Sequence, residues 1–240
     1  DNTLVDPRWL ERVVEALEAH PGALGFESYY SLRDADPALN RYLTGLLQIS
    51  DPWAKAVSRP LRLIEEKEHV QVFELPADGA YPTGANGFVF RRQLIERLGD
   101  RPFHEATFFP GLIRRGTRVL LKRRDCRVHH DYVRGLSDFY RKKQRVALHY
   151  LLRREEVAGG WDAELPAARK WLAMLHCASV VGPALEGLIR ALRERRAEWL
   201  LHAPASLVTV LATATGLAKS ALGGTRENRA RVSQSLKPDP

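Results

Sequence analysis

Cysteine is scarce in this sequence: Cys126 and Cys177 are the only two among 240 residues, and they form no Cys-x-x-Cys pair. Two cysteines are too few for a disulfide framework, so both read as free thiols in a reducing environment, with no redox or structural-zinc signature. Internal repeats and low-complexity tracts are also missing, which excludes solenoids and repeat arrays. There is no clean transmembrane run. Trp171 to Leu192 and Trp199 to Leu222 have the length to cross a bilayer, but the first carries His176, Glu186 and Arg190 and the second His202 and Lys219. No charged and apolar leader precedes Asp1, and the chain opens on Asp rather than Met, so it reads as cut rather than naturally begun.

What is present begins with apolar content. At 45% hydrophobic residues, the chain can bury a core, and its length suits one domain with an appendage. The net charge of +8 calls for an acidic partner, and it is concentrated. Arg114 to Arg154 holds 14 Lys and Arg against three Asp, an excess of +11 that exceeds the charge of the whole chain. Such a block attracts nucleic acid, nucleotide diphosphates or an anionic membrane face, and charge alone does not choose among them.

Asp6-Pro7 is a helix-start signal, and Trp9, Leu10, Val13, Val14 and Leu17 follow at helical spacing until His20-Pro21-Gly22. Ala23 to Tyr30 reads as a strand, and Asp36-Pro37 opens a helix to about Leu47. Alternation from Val70 to Leu75 predicts another strand, followed by a long Pro- and Gly-rich loop from Pro76 to Gly87. Short helices are expected over Arg91 to Leu98 and Glu105 to Arg115, closed by Gly99 and Gly116, with a strand at Arg118 to Leu121. From Leu136 to Leu222 the periodicity is helical. The tail from Gly223 to Pro240 has a disordered composition.

The two late segments have two readings. Flanking Trp171 and Trp199, with Arg193, Arg195 and Arg196 between, suit a hairpin lying in a cytoplasmic membrane interface. Ordinary buried helices of a soluble bundle tolerate the same polar interruptions.

Four motifs follow in fixed order: Gly84-Ala85-Asn86-Gly87 leading to Phe90-Arg91-Arg92, then Phe103-His104-Glu105-Ala106-Thr107, then Arg114-Arg115-Gly116, then Val128-His129-His130. A Gly-Ala-Asn-Gly loop lets backbone approach a ligand closely, and the Asn amide can donate to and accept from hydroxyls. It can equally be a Gly-rich turn before a helix. Glu105 at a helix start suits a general base, and it also suits a carboxylate that complements the helix dipole. His129-His130-Asp131 offers metal-ligand chemistry, although His at the end of a basic strand is more often surface or packed. Arg141, Lys142, Lys143 and Arg145 follow Phe139 and Tyr140 on one helix, where a solvated charged face is the commoner reading.

Taken in order, the motifs resemble the second half of family-2 glycosyltransferases, whose α/β fold is the nucleotide-sugar-binding type called GT-A. The resemblance covers about residues 1–154, implying a partial catalytic domain there, a helical membrane-associated appendage over 155–222 and a disordered tail over 223–240. It implies a nucleotide-sugar donor, a polysaccharide, lipid-linked or cell-surface glycan acceptor, inversion at the anomeric carbon, and a place on the cytoplasmic face of the cell membrane. Glu105 would be the base, but the family's motif is usually Glu-Asp with the Asp in that role. Ala106 stands there instead, so either Glu105 assumes the role or the activity is altered or lost. Gly84, Ala85, Asn86, Gly87, Arg114 and Arg115 would meet substrate. Asp1 falls where the last carboxylate of the family's Asp-x-Asp motif would be, and with His129 it would hold a divalent metal, Mg or Mn. Arg141, Lys142, Lys143 and Arg145 would meet diphosphate or anionic headgroups. On this reading the donor-binding front half is absent. The alternatives are a basic nucleic-acid-binding module using Arg114 to Arg154, for which no recognised nucleic-acid motif is present, and a catalytically silent membrane-interaction domain.

Overall fold

The structure is a computed structural model that describes residues 2–4, 6–49, 51–83, 87–96, 103, 105–152 and 159–222, with the backbone alone described for residues 2–4, 105–106, 149, 151–152 and 221–222. It is mixed α/β, with an apolar helix at the C-terminal end of the described residues. Strand β1 (Asn2–Leu4) leads to helix α1 (Trp9–Ala19), then to strands β2 (Ala23–Phe26) and β3 (Tyr29–Ser31). Helix α2 (Ala38–Asn40) runs on into a π-helical turn (Arg41–Leu46) and is followed by α3 (Pro52–Val57). A hairpin of β4 (Arg62–Lys67) and β5 (Val70–Glu74) precedes helices α4 (Arg92–Glu96) and α5 (Glu105–Arg114) and strands β6 (Val119–Arg123) and β7 (Arg127–His130). Helices α6 (Leu136–Leu152), α7 (Ala167–Ala178) and α8 (Val181–Glu194), a 3-10 turn (Ala197–Leu201) and α9 (His202–Leu222) complete the described chain.

The strands form two sheets, one ordered β1-β7-β3 and the other β2-β6-β5-β4. The run from Ala23 to Tyr30, expected as one strand, is therefore two, which separate at Glu27 and Ser28 and enter different sheets. Burial of those two residues explains the break: Glu27 Oε2 meets Lys122 Nζ at 2.9 Å, and Ser28 accepts from Trp9 Nε1 at 2.9 Å. Helix α1 presents Trp9, Val13, Ala16 and Leu17 to one face of the four-stranded sheet, against Phe26, Val72 and Leu121. Burying each large side chain of that set contributes roughly 1.5–3 kcal/mol. Leu10 and Val14, expected on the same apolar stripe, face outward. Helix α5 covers the other face, where Phe108, Phe109, Leu112 and Ile113 pack on Leu24, Leu75 and Leu120. The alternation of Leu120 and Leu121 between these two cores is the period of a strand buried on both sides.

Strand β1, helix α3 and strand β4 had no counterpart in the sequence reading. Helix α3 begins with the same Asp-Pro signal as α1, and Asp51 Oδ1 accepts from the Ala54 amide at 3.1 Å. Strand β4 is an exposed edge, and its Arg62, Glu65, Glu66 and Lys67 are the charged residues that keep such an edge from pairing with another chain.

The helical run expected from Leu136 opens with α6, which lies along α9. Tyr140 and Gln144 both reach Thr215 Oγ1, at 2.9 and 3.0 Å, and Lys219 donates to Gln144 at 3.1 Å. A Cβ on Gly216 would come within 3.0 Å of Ala147 Cβ, so the small residues set how closely these helices approach. The segment expected as one helix through Trp171 to Leu192 is bent by 75° between α7 and α8, at Val180, whose φ is +61°. Both cysteines are free, as read from the sequence, and both are buried.

Asn40 joins the layers. Its fully buried amide donates to the His130 carbonyl at 3.1 Å and accepts from the Tyr132 and Val133 amides at 2.9 and 3.2 Å. The Tyr132 amide also donates to the His130 carbonyl at 3.0 Å, so replacing Asn40 with Ala strands the buried Val133 amide above all and lowers unfolding free energy by ~2 kcal/mol, read from urea midpoints at unchanged m-value.

Candidate functional site

Strand β7 is the centre of the candidate site because β1 pairs with it antiparallel on one side and β3 parallel on the other. The register sets Asn2 opposite His130 and Thr3 opposite His129. Successive side chains on a strand point to opposite faces, so the two histidines occupy different environments. His129 is buried, with Nδ1 3.3 Å from the Ser31 carbonyl and Nε2 3.5 Å from Asp36 Oδ1. Both of its nitrogens are engaged by the protein. The His130 ring stacks on Tyr30 at 5.9 Å and lies 5.4 Å from Tyr132, and its buried Nδ1 has no hydrogen-bond partner. Burial above all, reinforced by the Lys142 ammonium, pushes the His130 pKa down to about 4, which keeps the ring neutral at pH 7. A neutral imidazole with an orphaned nitrogen fits the donor chemistry of a metal ligand better than the fully bonded ring of His129 does. Asp1, the other residue the resemblance assigns to a metal, lies outside the described residues, as do Gly84, Ala85 and Asn86.

Gly87 is described, and it converges on the same strand. Its φ of +72° and its packing both require glycine, since a Cβ would stand 2.9 Å from Ser28 Oγ and 3.0 Å from Val128 Cγ1. Ser28 donates to the Gly87 carbonyl at 3.2 Å, which pins the end of the loop between β2 and β7. Phe88 and Phe90 beyond it pack edge-on against Phe109 of α5, at 4.8 and 5.0 Å. Through these rings the helix that Glu105 opens is tied to the Gly87 segment.

The basic residues divide. Arg114 is a structural tie, donating to the carbonyls of Asp78, Gly159 and Gly160 at 3.2, 2.9 and 2.7 Å, whereas Arg115 is exposed. On α6, Lys142 donates to the Tyr132 carbonyl and covers that ring at 5.0 Å. Lys143 is buried and contacts Asp51 directly, and burial draws its pKa down to about 8. Arg141 and Arg145 face solvent. Among the described residues, the members of the +11 block are therefore dispersed over several partners.

A basic cleft that the sequence did not reveal adjoins His130. It has a volume of about 780 Å³, shares Tyr30 with the histidine stack, and is lined by Arg33, Arg41, Arg124, Arg127 and Arg196 against Asp34 and Glu198. Arg33, Arg41 and Arg196 come from outside the basic block, so charge counting along the chain could not find it.

One further surface stands out. Trp171, Leu172 and Leu175 on α7 are exposed, as are Val181, Leu185, Leu188, Ile189 and Leu192 on α8, with Trp171 at 68% and Leu192 at 73%. The α8 positions fall at i, i+4, i+7, i+8 and i+11, a continuous stripe on one side of the helix. Ala197–Ser220 is the one helical stretch among the described residues that is long and apolar enough to cross a membrane, and 33% of its apolar window is buried inside the protein.

No family model, no curated protein and no solved structure matches this chain.

The contrast between the adjacent histidines is measurable. His129→Ala removes the buried partner of Asp36 Oδ1, leaving that carboxylate its bond from the Arg33 amide at 2.8 Å, and costs ~2 kcal/mol of stability by chemical denaturation, while His130→Ala costs less than half as much.

Proposed function

We propose that the chain is the acceptor-side part of a family-2-type glycosyltransferase resting on an anionic membrane surface through α7 and α8. The observation that carries the catalytic reading is convergence on β7: the first described strand, the end of the Gly84–Gly87 loop and the His129-His130 pair meet around Ser28 and Val128. Their order along the chain matches the order in which the family resemblance places metal site, sugar loop and histidine.

In this reading Glu105, at the N-terminal end of α5, takes the proton of an acceptor hydroxyl as that oxygen attacks the anomeric carbon. The bond to the donor's diphosphate breaks with inversion. The Gly84–Gly87 loop brings backbone and the Asn86 amide to the sugar hydroxyls. The arginine cleft beside Tyr30 supplies positive potential for the departing diphosphate. Asp1 and His130, rather than His129, would hold the divalent metal, Mg or Mn, which when bound neutralises diphosphate charge. Arg114 is occupied by backbone carbonyls, which leaves Arg115 as the member of that pair open to a substrate.

The exposed stripe on α7 and α8, with Arg169 and Lys170 before it and Arg193, Arg195 and Arg196 after it, has the layout of an interfacial hairpin on the cytoplasmic face of a membrane. Lipid-linked and cell-surface glycan acceptors would then be presented at the protein's own level. The nucleic-acid reading loses support because Arg114, Lys122, Arg123, Lys142 and Lys143 are each engaged within the protein.

In the product of the full open reading frame, Glu105→Gln lowers nucleotide-sugar turnover by roughly 10²- to 10⁴-fold, measured as released nucleoside diphosphate. Unchanged turnover would remove Glu105 as the base. The chain co-sediments with vesicles containing phosphatidylglycerol, and replacing both Leu185 and Leu188 with Asp abolishes this without altering the circular dichroism spectrum. Vesicle binding with no turnover from any nucleotide sugar would favour the silent membrane-interaction domain.

A further inference from the structure

The structure assigns a second, separate metal site to the helical layer: we propose that His176, Glu186 and His202 form a two-histidine, one-carboxylate centre for a zinc-type divalent ion. The residues come from three different helices, α7, α8 and α9. Glu186 Oε2 lies 3.7 Å from His176 Nε2 and 3.5 Å from His202 Nε2, and the three donor atoms all fall within 4.8 Å of one another. With Zn–N and Zn–O bonds near 2.0–2.1 Å, ligand atoms at tetrahedral corners are about 3.3–3.4 Å apart, so small side-chain adjustments suffice. Two imidazoles select zinc-type ions over Mg and Ca, which prefer oxygen donors.

The surroundings are built as a metal site requires. The other oxygen of Glu186 accepts from Arg190 Nε at 3.0 Å, which orients the carboxylate and leaves Oε2 for the ion. On the far side of the His202 ring, Nδ1 meets the Tyr42 hydroxyl, a fully buried group whose pKa burial raises, so the phenol stays protonated. With an ion on Nε2, His202 Nδ1–H would donate to the Tyr42 oxygen, the second-shell contact that orients a ligating ring. Glycines make the room: a Cβ on Gly182 would stand 2.8 Å from His176 Cε1 and Nδ1, and one on Gly187 would stand 3.2 Å from His202 Cβ.

Three protein ligands leave one coordination position open. A surface cleft lined by Arg169, Leu172, Ala173, His176 and Glu186 leads to it, so water or a small anion can fill that position. The site lies inside the hairpin whose outer face carries the apolar stripe, and occupancy would clamp α7 and α8 onto α9. It is independent of the proposed metal beside His130, and it goes beyond the glycosyltransferase reading.

The competing account is an ion-pair cluster in which protonated imidazoles face Glu186 and no metal binds. Titration of the chelator-treated full chain with Zn²⁺ alone and with Co²⁺ alone at neutral pH separates the two. We expect one saturable equivalent, cobalt d–d bands of tetrahedral intensity, and no thiolate charge-transfer band, since Cys177 is not a ligand. His176→Gln and Glu186→Gln each weaken binding ~100-fold or more with an unchanged circular dichroism spectrum. Tyr42→Phe weakens it about 10-fold by freeing the His202 ring. His130→Ala leaves it unaltered. Absence of saturable binding to the wild-type chain overturns the proposal, as does binding that survives both His176→Gln and Glu186→Gln, or binding that is lost with His130→Ala.

Discussion

Strand β7 can lie between β1 and β3 only if the chain leaving it turns at once toward the helical layer, and that turn is built on one buried amide. Asn40 bonds the carbonyl of His130 on the strand and the amides of Tyr132 and Val133 just beyond it. It is held by α2, whose continuation places Tyr42 and Leu43 among Phe139, Trp199 and Ala205 of the helical layer. A buried amide of this kind is stabilising only when its donors and acceptors are all matched, so the geometry of sheet and helices is fixed together. The exposure of His130, the position of Tyr30 and the mouth of the arginine cleft all follow from that one junction.

The chain's charge gains meaning from the same arrangement. Counted along the sequence, Arg114 to Arg154 is the basic feature; in space, its members are spread over the sheet edge, α5 and α6. Lys122 is neutralised by Glu27 at 2.9 Å, and Arg124 pairs with Glu66 at 2.8 Å. What lies close together in space is the cleft lined by Arg33, Arg41, Arg124, Arg127 and Arg196, in which Glu198 pairs with Arg41 at 3.1 Å and with Arg196 at 3.4 Å. Five guanidinium groups against Asp34 and Glu198 leave the wall net positive, and a concave surface focuses that potential.

Local signals in the sequence were readable wherever a few adjacent residues decide the outcome. Asp6-Pro7 and Asp36-Pro37 marked helix starts, Gly116 marked the end of α5, and the alternation after Val70 marked β5. Other features depend on distant partners. The division of Ala23 to Tyr30 into two strands depends on Lys122 and Trp9, and the different environments of His129 and His130 depend on Ser31, Asp36 and Tyr30. Strand β4 was missed because an exposed, charged edge has none of the alternation that a half-buried strand shows. The His176, Glu186 and His202 cluster escaped because its members are 10 and 16 residues apart on separate helices, outside any short metal-binding spacing. The motif order behind the proposed glycosyltransferase reading is a sequence observation; in space, β1, Gly87 and the His129-His130 pair meet around β7.

Helix α9 is apolar enough to enter a bilayer, yet it lies so close to α6 that Gly216 has no space for a methyl group beside Ala147. Contacts that tight form between surfaces of matching shape, and fluid acyl chains cannot reproduce them. Moving α9 into lipid would strip it from α6 and expose Tyr140, Gln144 and Thr215, which now satisfy one another. The interlock therefore opposes any movement of α9 away from α6, and the proposed membrane contact falls to the exposed stripe of α7 and α8 instead.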